Sequence, residues 1–277
     1  MSQPSKKNIE DSAVRKGLPI KCKGLTYYPV TMANYETFVS CRDAWALRIG
    51  SLPVRYAAKD YLNAVFCFEN DEVKEGRAIT GLFQRIITLW LLALRIDCNL
   101  DDFFRKNIFL RERNNDIEID HVEVQQGAVK AEISATDFAV YVRPLLAKQN
   151  GIVLPDESDN IELVESAEEL EEIQGRNKKK LDLNINDLIA SVAYQSNVRE
   201  RDIDDWSVRE FVYRRRAIER GLRFKIMAQA EMSGMVTFKN GNPCPSWFAD
   251  VIDNSYGTVS AANLGRQIGQ VEGQNNS

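Results

Sequence analysis

His121 is the only histidine in the chain and the natural first candidate for general acid–base work. It lies within Ile117 to Val124, where apolar residues fall mostly on alternate positions, so it reads as a surface or half-buried strand residue. A zinc centre needs four ligands at recognisable spacing. The five cysteines (Cys22, Cys41, Cys67, Cys98 and Cys244) are scattered and contain no Cys-x-x-Cys pair, which fits free thiols in a reducing compartment. No Gly-x-x-x-x-Gly-Lys-Ser/Thr or Gly-x-Gly-x-x-Gly loop offers a phosphate cradle. Asp202, Asp204 and Asp205 stand just before a helical pattern, where acids complement the helix dipole and need no metal. The expectation is a chain that is not an enzyme, with no catalytic, cofactor-binding or metal residues and no cofactor.

Residues suited to binding are easier to find. Arg214, Arg215, Arg216, Arg220, Arg223 and Lys225 lie on one helical segment. They can meet phosphates or an acidic protein surface, or form a solvated face through i,i+4 pairs such as Glu210–Arg214 and Glu219–Arg223. Met232, Met235, Trp247 and Phe248 follow, either as an adaptable recognition surface or as core residues of a small domain. The candidate partner-binding set is therefore Arg214, Arg215, Arg216, Arg220, Arg223, Met232, Met235, Trp247 and Phe248. A formal net charge of −4 and the acids from Glu200 to Asp205 weigh against nucleic acid.

The elements that position these residues follow from periodicity. Leu18 to Thr31 suggests a small hairpin around Lys23-Gly24. Helical patterns run over Met32 to Ile49, Val54 to Phe68 and Ala78 to Ile96, the last apolar almost all round as in a central helix. A short helix starts at Asp101, and a hairpin turns at Gln126-Gly127 between Ile117–Val124 and Ala128–Ile133. Ser134 or Thr136 caps a helix that ends near Asn150-Gly151, with Pro144 a place for a kink or an early stop. Between Asp156 and Glu172 stand nine carboxylates and no lysine or arginine, which reads as a linker. Asn184 or Asn186 caps a helix over Ile185 to Tyr194. Ser207 and Glu210 form a capping box for a helix toward Met232, with Gly234 as its stop. Met235 to Phe238 suggests a strand, and the chain after Ser255 is rich in Gly, Ser, Asn and Gln.

The expected fold class is α+β, mostly α-helical. A disordered N-terminus (1–14) precedes a helical N-terminal domain with a β-hairpin (15–152). An acidic flexible linker (153–180), a small helical C-terminal domain (181–254) and a disordered tail (255–277) complete the 277 residues. The start lacks an apolar leader and Ile86 to Ile96 is too short to cross a bilayer, so a cytoplasmic protein without membrane partners is expected.

Several segments carry a resemblance. Asp187-Leu188-Ile189-Ala190-Ser191-Val192-Ala193-Tyr194, Asp205-Trp206-Ser207-Val208-Arg209-Glu210-Phe211, Ala230-Glu231-Met232-Ser233-Gly234 and Gly241-Asn242-Pro243 resemble tail-module proteins of tailed bacteriophages and prophages, of the tail assembly chaperone type. Gly24-Leu25-Thr26-Tyr27-Tyr28-Pro29-Val30 and the stretch from Phe138 to Gly151 are similar to the same group. The resemblance implies a chaperone in the host cytoplasm that binds the tape-measure and tail-tube proteins during viral tail morphogenesis, with self-association a further expectation. A structural tail or baseplate component of the virion and a nucleic-acid-binding regulator are the alternatives. The resemblance supplies no catalytic or binding residues.

Overall fold

The computed structural model describes residues 6–77, 80–113, 116–157, 184–233, 244 and 246. It is mostly helical with two small antiparallel sheets, the α+β class expected. Two compact units divide the chain: Met1–Glu157 with Arg201–Phe211, and Ser158–Glu200 with Val212–Ser277.

The first unit is built around α4 (Leu82–Leu94), whose Phe83, Ile86, Ile87, Leu89, Trp90, Leu91, Ala93 and Leu94 are all buried. Its N-terminus is capped from α3 (Tyr61–Lys74): the buried Glu69 carboxylate accepts from Leu82 N at 2.5 Å, Phe83 N at 3.0 Å and Thr80 Oγ1 at 2.7 Å. Helix-start donors that lack an intrahelical partner are thereby satisfied by a side chain from another helix. Helix α2 (Tyr35–Trp45) packs on α4, and Trp45 and Trp90 meet Phe138 edge-on at 5.4 and 5.0 Å. The buried Arg143 guanidinium donates to Trp45 O at 3.2 Å and Leu47 O at 2.8 Å, closing the end of α2, and lies over the Tyr61 ring.

The expected hairpins are present. Strands β1 (Ile20–Cys22) and β2 (Leu25–Tyr27) pair with Cys22 opposite Leu25. Lys23 and Gly24 both have positive φ (50° and 82°), as a tight two-residue turn demands. Strands β4 (Asp116–Gln126) and β5 (Val129–Ser134) pair through Gly127, and Ile119, Val122, Val124 and Ile133 form the buried face. Ser134 is the cap of the following helix, accepting from Asp137 N. That helix runs through α6 (Ala135–Asp137), a π-helical segment (Phe138–Val142) and α7 (Arg143–Asn150), then stops at Gly151. Pro144 lies in the first turn of α7, so the widened π segment accommodates it without a break. Side-chain amides knit these parts together: half-buried Gln126 bonds Thr26 and Leu94, and buried Asn150 accepts from Val30 N.

Three expectations need correction, and one strand lies where no element was expected. Residues 6–15 form helix α1 (Lys6–Arg15) in place of a disordered start: Val14 is buried, its carbonyl accepts from Arg209, and Gly17 at φ 65° follows the helix end. Ile108–Arg113, for which no element was expected, is a strand, β3, on the outer edge of the β4–β5 sheet; exposed on both faces, it lacks the alternation that marks a half-buried strand. The helix expected from Val54 begins at Tyr61 instead, after a 3₁₀ turn (Val54–Tyr56) in which Val54 is 89% exposed.

The domain boundary is the third. Residues 201–211 belong with the first unit because their backbone pairs with Val30 to Ala33: Met32 N donates to Trp206 O and Val208 N to Val30 O, both at 2.8 Å, and Ala33 N to Asp204 O at 3.1 Å. Between them, α5 (Leu100–Asn107) starts at the Asn99 cap, close to the short helix expected. The acidic segment from 158 to 180, Gly234, the strand expected at Met235 to Phe238 and the tail after Ser255 lie outside the described residues.

Candidate partner-binding site

In the second unit, α8 (Ile185–Ser196) is capped by Asn184, whose side chain accepts from Asn186 N, and ends at Asn197 in the left-handed conformation. Beyond α9 (Glu200–Ile203) comes α10 (Val208–Met232). Ser207 Oγ accepts from Glu210 N at 3.1 Å, the capping-box bond expected from the sequence. The division between units falls within this helix, after Phe211.

Gln195 of α8 and Ala217, Ile218, Gly221, Leu222, Phe224 and Lys225 of α10 enclose an open groove of ≈ 340 Å³. Its walls are mostly apolar, with Gln195 and Lys225 the polar residues among them. Gly221 shapes the floor: a Cβ built on it meets nothing within 4 Å. Leu222 and Ile226 are 41% and 58% exposed, and Met232 is 87% exposed.

Helical spacing sorts the arginines. At about 100° per residue, Arg216, Arg220 and Arg223 stand at i, i+4 and i+7 and share one face. Arg214, Ile218, Gly221 and Lys225 stand at i, i+4, i+7 and i+11, so Arg214 lies one turn before the groove on its own side. Arg214, Arg216 and Arg223 are exposed, and Arg215 and Arg220 half-buried. Glu219 is engaged by Arg215 at 3.5 Å, a different partner from the Arg223 expected. Helical spacing therefore puts Arg214 on the groove's side of α10 and Arg216, Arg220 and Arg223 on the other, and no arginine is among the lining residues. Met232 is on the same helix, and Met235, Trp247 and Phe248 lie outside the described residues.

Sequence reasoning missed Gln195, Ala217, Gly221 and Phe224. The available signal was Gly221, a helix-weakening residue placed among good helix formers for no reason that capping explains. His121 occupies a half-buried strand position as expected, and Asp202, Asp204 and Asp205 are exposed around the end of α9. No helix among the described residues is long and apolar enough to cross a membrane. The chain matches no family model, curated protein or solved structure.

Proposed function

We propose that the chain is a non-catalytic tail assembly chaperone of a tailed phage or prophage, acting in the host cytoplasm by holding the tape-measure and tail-tube proteins before they assemble. The observation that carries the reading is the apolar groove of α10, open to solvent, with Leu222 and Ile226 exposed and Lys225 in its lining. Such a surface suits the apolar face of a partner helix laid in a groove, with cations to meet acidic residues at its margin. The resemblance carried by Asp187 to Tyr194 and Asp205 to Phe211 supports the same partners.

Co-expression with tape-measure and tail-tube proteins of a tailed phage, followed by pull-down on the tagged full chain, tests the proposal. Recovery of either partner, lost on Leu222→Asp with Ile226→Asp, is the expected result. Recovery of neither overturns it. Finding the chain in purified virions at fixed stoichiometry moves the assignment to a structural component.

A further inference from the structure

The outer face of the β4–β5 ladder gathers metal-ligand chemistry that the tail-assembly reading does not use. Glu123 stands directly opposite Glu132 in the register, and His121 stands two pairs along on the same face, opposite Ser134. His121, Glu123 and Glu132 can each offer one ligand atom, all within 4.8 Å of one another. Two carboxylates directly across an antiparallel pair repel each other. The ladder tolerates them with a cation: Lys130, on the same face of β5, pairs with Glu123 at 2.8 Å.

The histidine is prepared in a way a surface strand does not require. The pairing of β3 with β4 skips Asp120, since Phe109 faces His121 and Leu110 faces Ile119. This bulge re-aims the Asp120 carboxylate, which lies 2.9 Å from His121 Nδ1 and 3.1 Å from Arg111. A ring N–H donated to Asp120 leaves the Nε2 lone pair for a metal, the usual second-layer support of a ligating histidine. Phe109 stacks on the imidazole at 4.6 Å with the planes 7° apart, which holds the ring in place.

We propose that His121, Glu123 and Glu132 form a binding site for one divalent transition ion of the Zn²⁺, Co²⁺ or Ni²⁺ class. Imidazole with two carboxylates favours these ions over Mg²⁺ or Ca²⁺, which prefer all-oxygen shells. Three protein ligands leave coordination positions for water. The ion replaces the Lys130 ammonium as the charge between the two glutamates, and Asp120 is the positioning residue.

Titrating the full chain with Co²⁺ and following its visible absorption tests the site. One equivalent should bind saturably without the near-ultraviolet bands of thiolate ligation, which separates this site from the free cysteines. Exposed Glu132 can be changed without disturbing the core: Glu132→Gln should weaken binding at least about tenfold, and Asp120→Asn by about tenfold. Lys130→Gln should tighten it. Unsaturable binding, thiolate bands, or an affinity indifferent to Glu132→Gln overturns the proposal.

Discussion

The apolar stripe of α10 has two fates along one helix. Val208 and Phe211, in the first unit, are each 1% exposed, whereas Leu222 and Ile226, in the second, are 41% and 58% exposed. Sequence periodicity marks both stretches alike, because it reports which face of a helix is apolar and not whether anything covers it. What differs is the surroundings. In the first unit apolar burial comes with paired polar groups: Glu69 caps α4, Arg143 closes α2, and Asn63 bonds both backbone groups of Ile119, at 2.7 and 3.3 Å, where β4 extends past its pairing with β5. In the second unit the groove residues leave apolar surface open beside Gly221. One region buries its apolar residues, and among the described residues the other leaves part of them exposed.

That contrast breaks if core and groove substitutions cost alike. The largest loss is expected for Trp90→Ala, which removes a ring packed on Phe138 and should cost about 3–5 kcal/mol in urea unfolding. Glu69→Ala follows: the start of α4 would lose three hydrogen bonds inside the protein, a cost of about 2–3 kcal/mol. Leu222→Ala, at the groove, should stay within about 1 kcal/mol, since little apolar burial is lost. A groove substitution as costly as Trp90→Ala would mean that the groove is core.

A smaller effect sharpens the account of the first unit through its pH dependence. Burial pushes the Asp71 carboxyl up, but the Tyr56 hydroxyl at 2.8 Å, with Lys74 and Arg55, outweighs it and holds Asp71 below the ordinary carboxylate value. A depressed folded value stabilises the protein above the unfolded value of about 3.9. The contribution is lost as pH falls through the folded value. Asp71→Asn should therefore flatten the acid limb of a stability-versus-pH curve and change little at neutral pH beyond a constant offset. An unchanged acid limb would remove Asp71 from the account.

The fold was legible where a local pattern and a local signal agree. The continuous apolar run of α4, the two hairpin turns, the Ser207–Glu210 capping box and the Ser134 cap all declare themselves within a few residues. Strand β3 did not, because an edge strand exposed on both faces has no alternation to read. Helix α1 and the pairing of 204–208 with 30–33 depend on partners far away in the chain, which no local window contains. The candidate site was half legible. The spacing of the arginines already spreads them over several faces of one helix, but the groove that one of those faces borders depends on Gln195 from a second helix.

Gly221 separates the structural and functional roles of the groove most finely. Glycine in a helix interior lowers stability by about 0.8–1.0 kcal/mol relative to alanine, and a Cβ at this position meets open space. Gly221→Ala should therefore stabilise the protein by up to about 1 kcal/mol, seen as a higher unfolding midpoint. Gly221→Leu should keep most of that gain while filling the groove with a side chain. If the groove receives a partner helix, the leucine variant is more stable than the wild type yet captures less of that partner, and the alanine variant falls between. A leucine variant that unfolds more readily would show that the space is already closed in solution. One that binds undiminished would move the partner to another surface, with the exposed Arg216 and Arg223 the next to test.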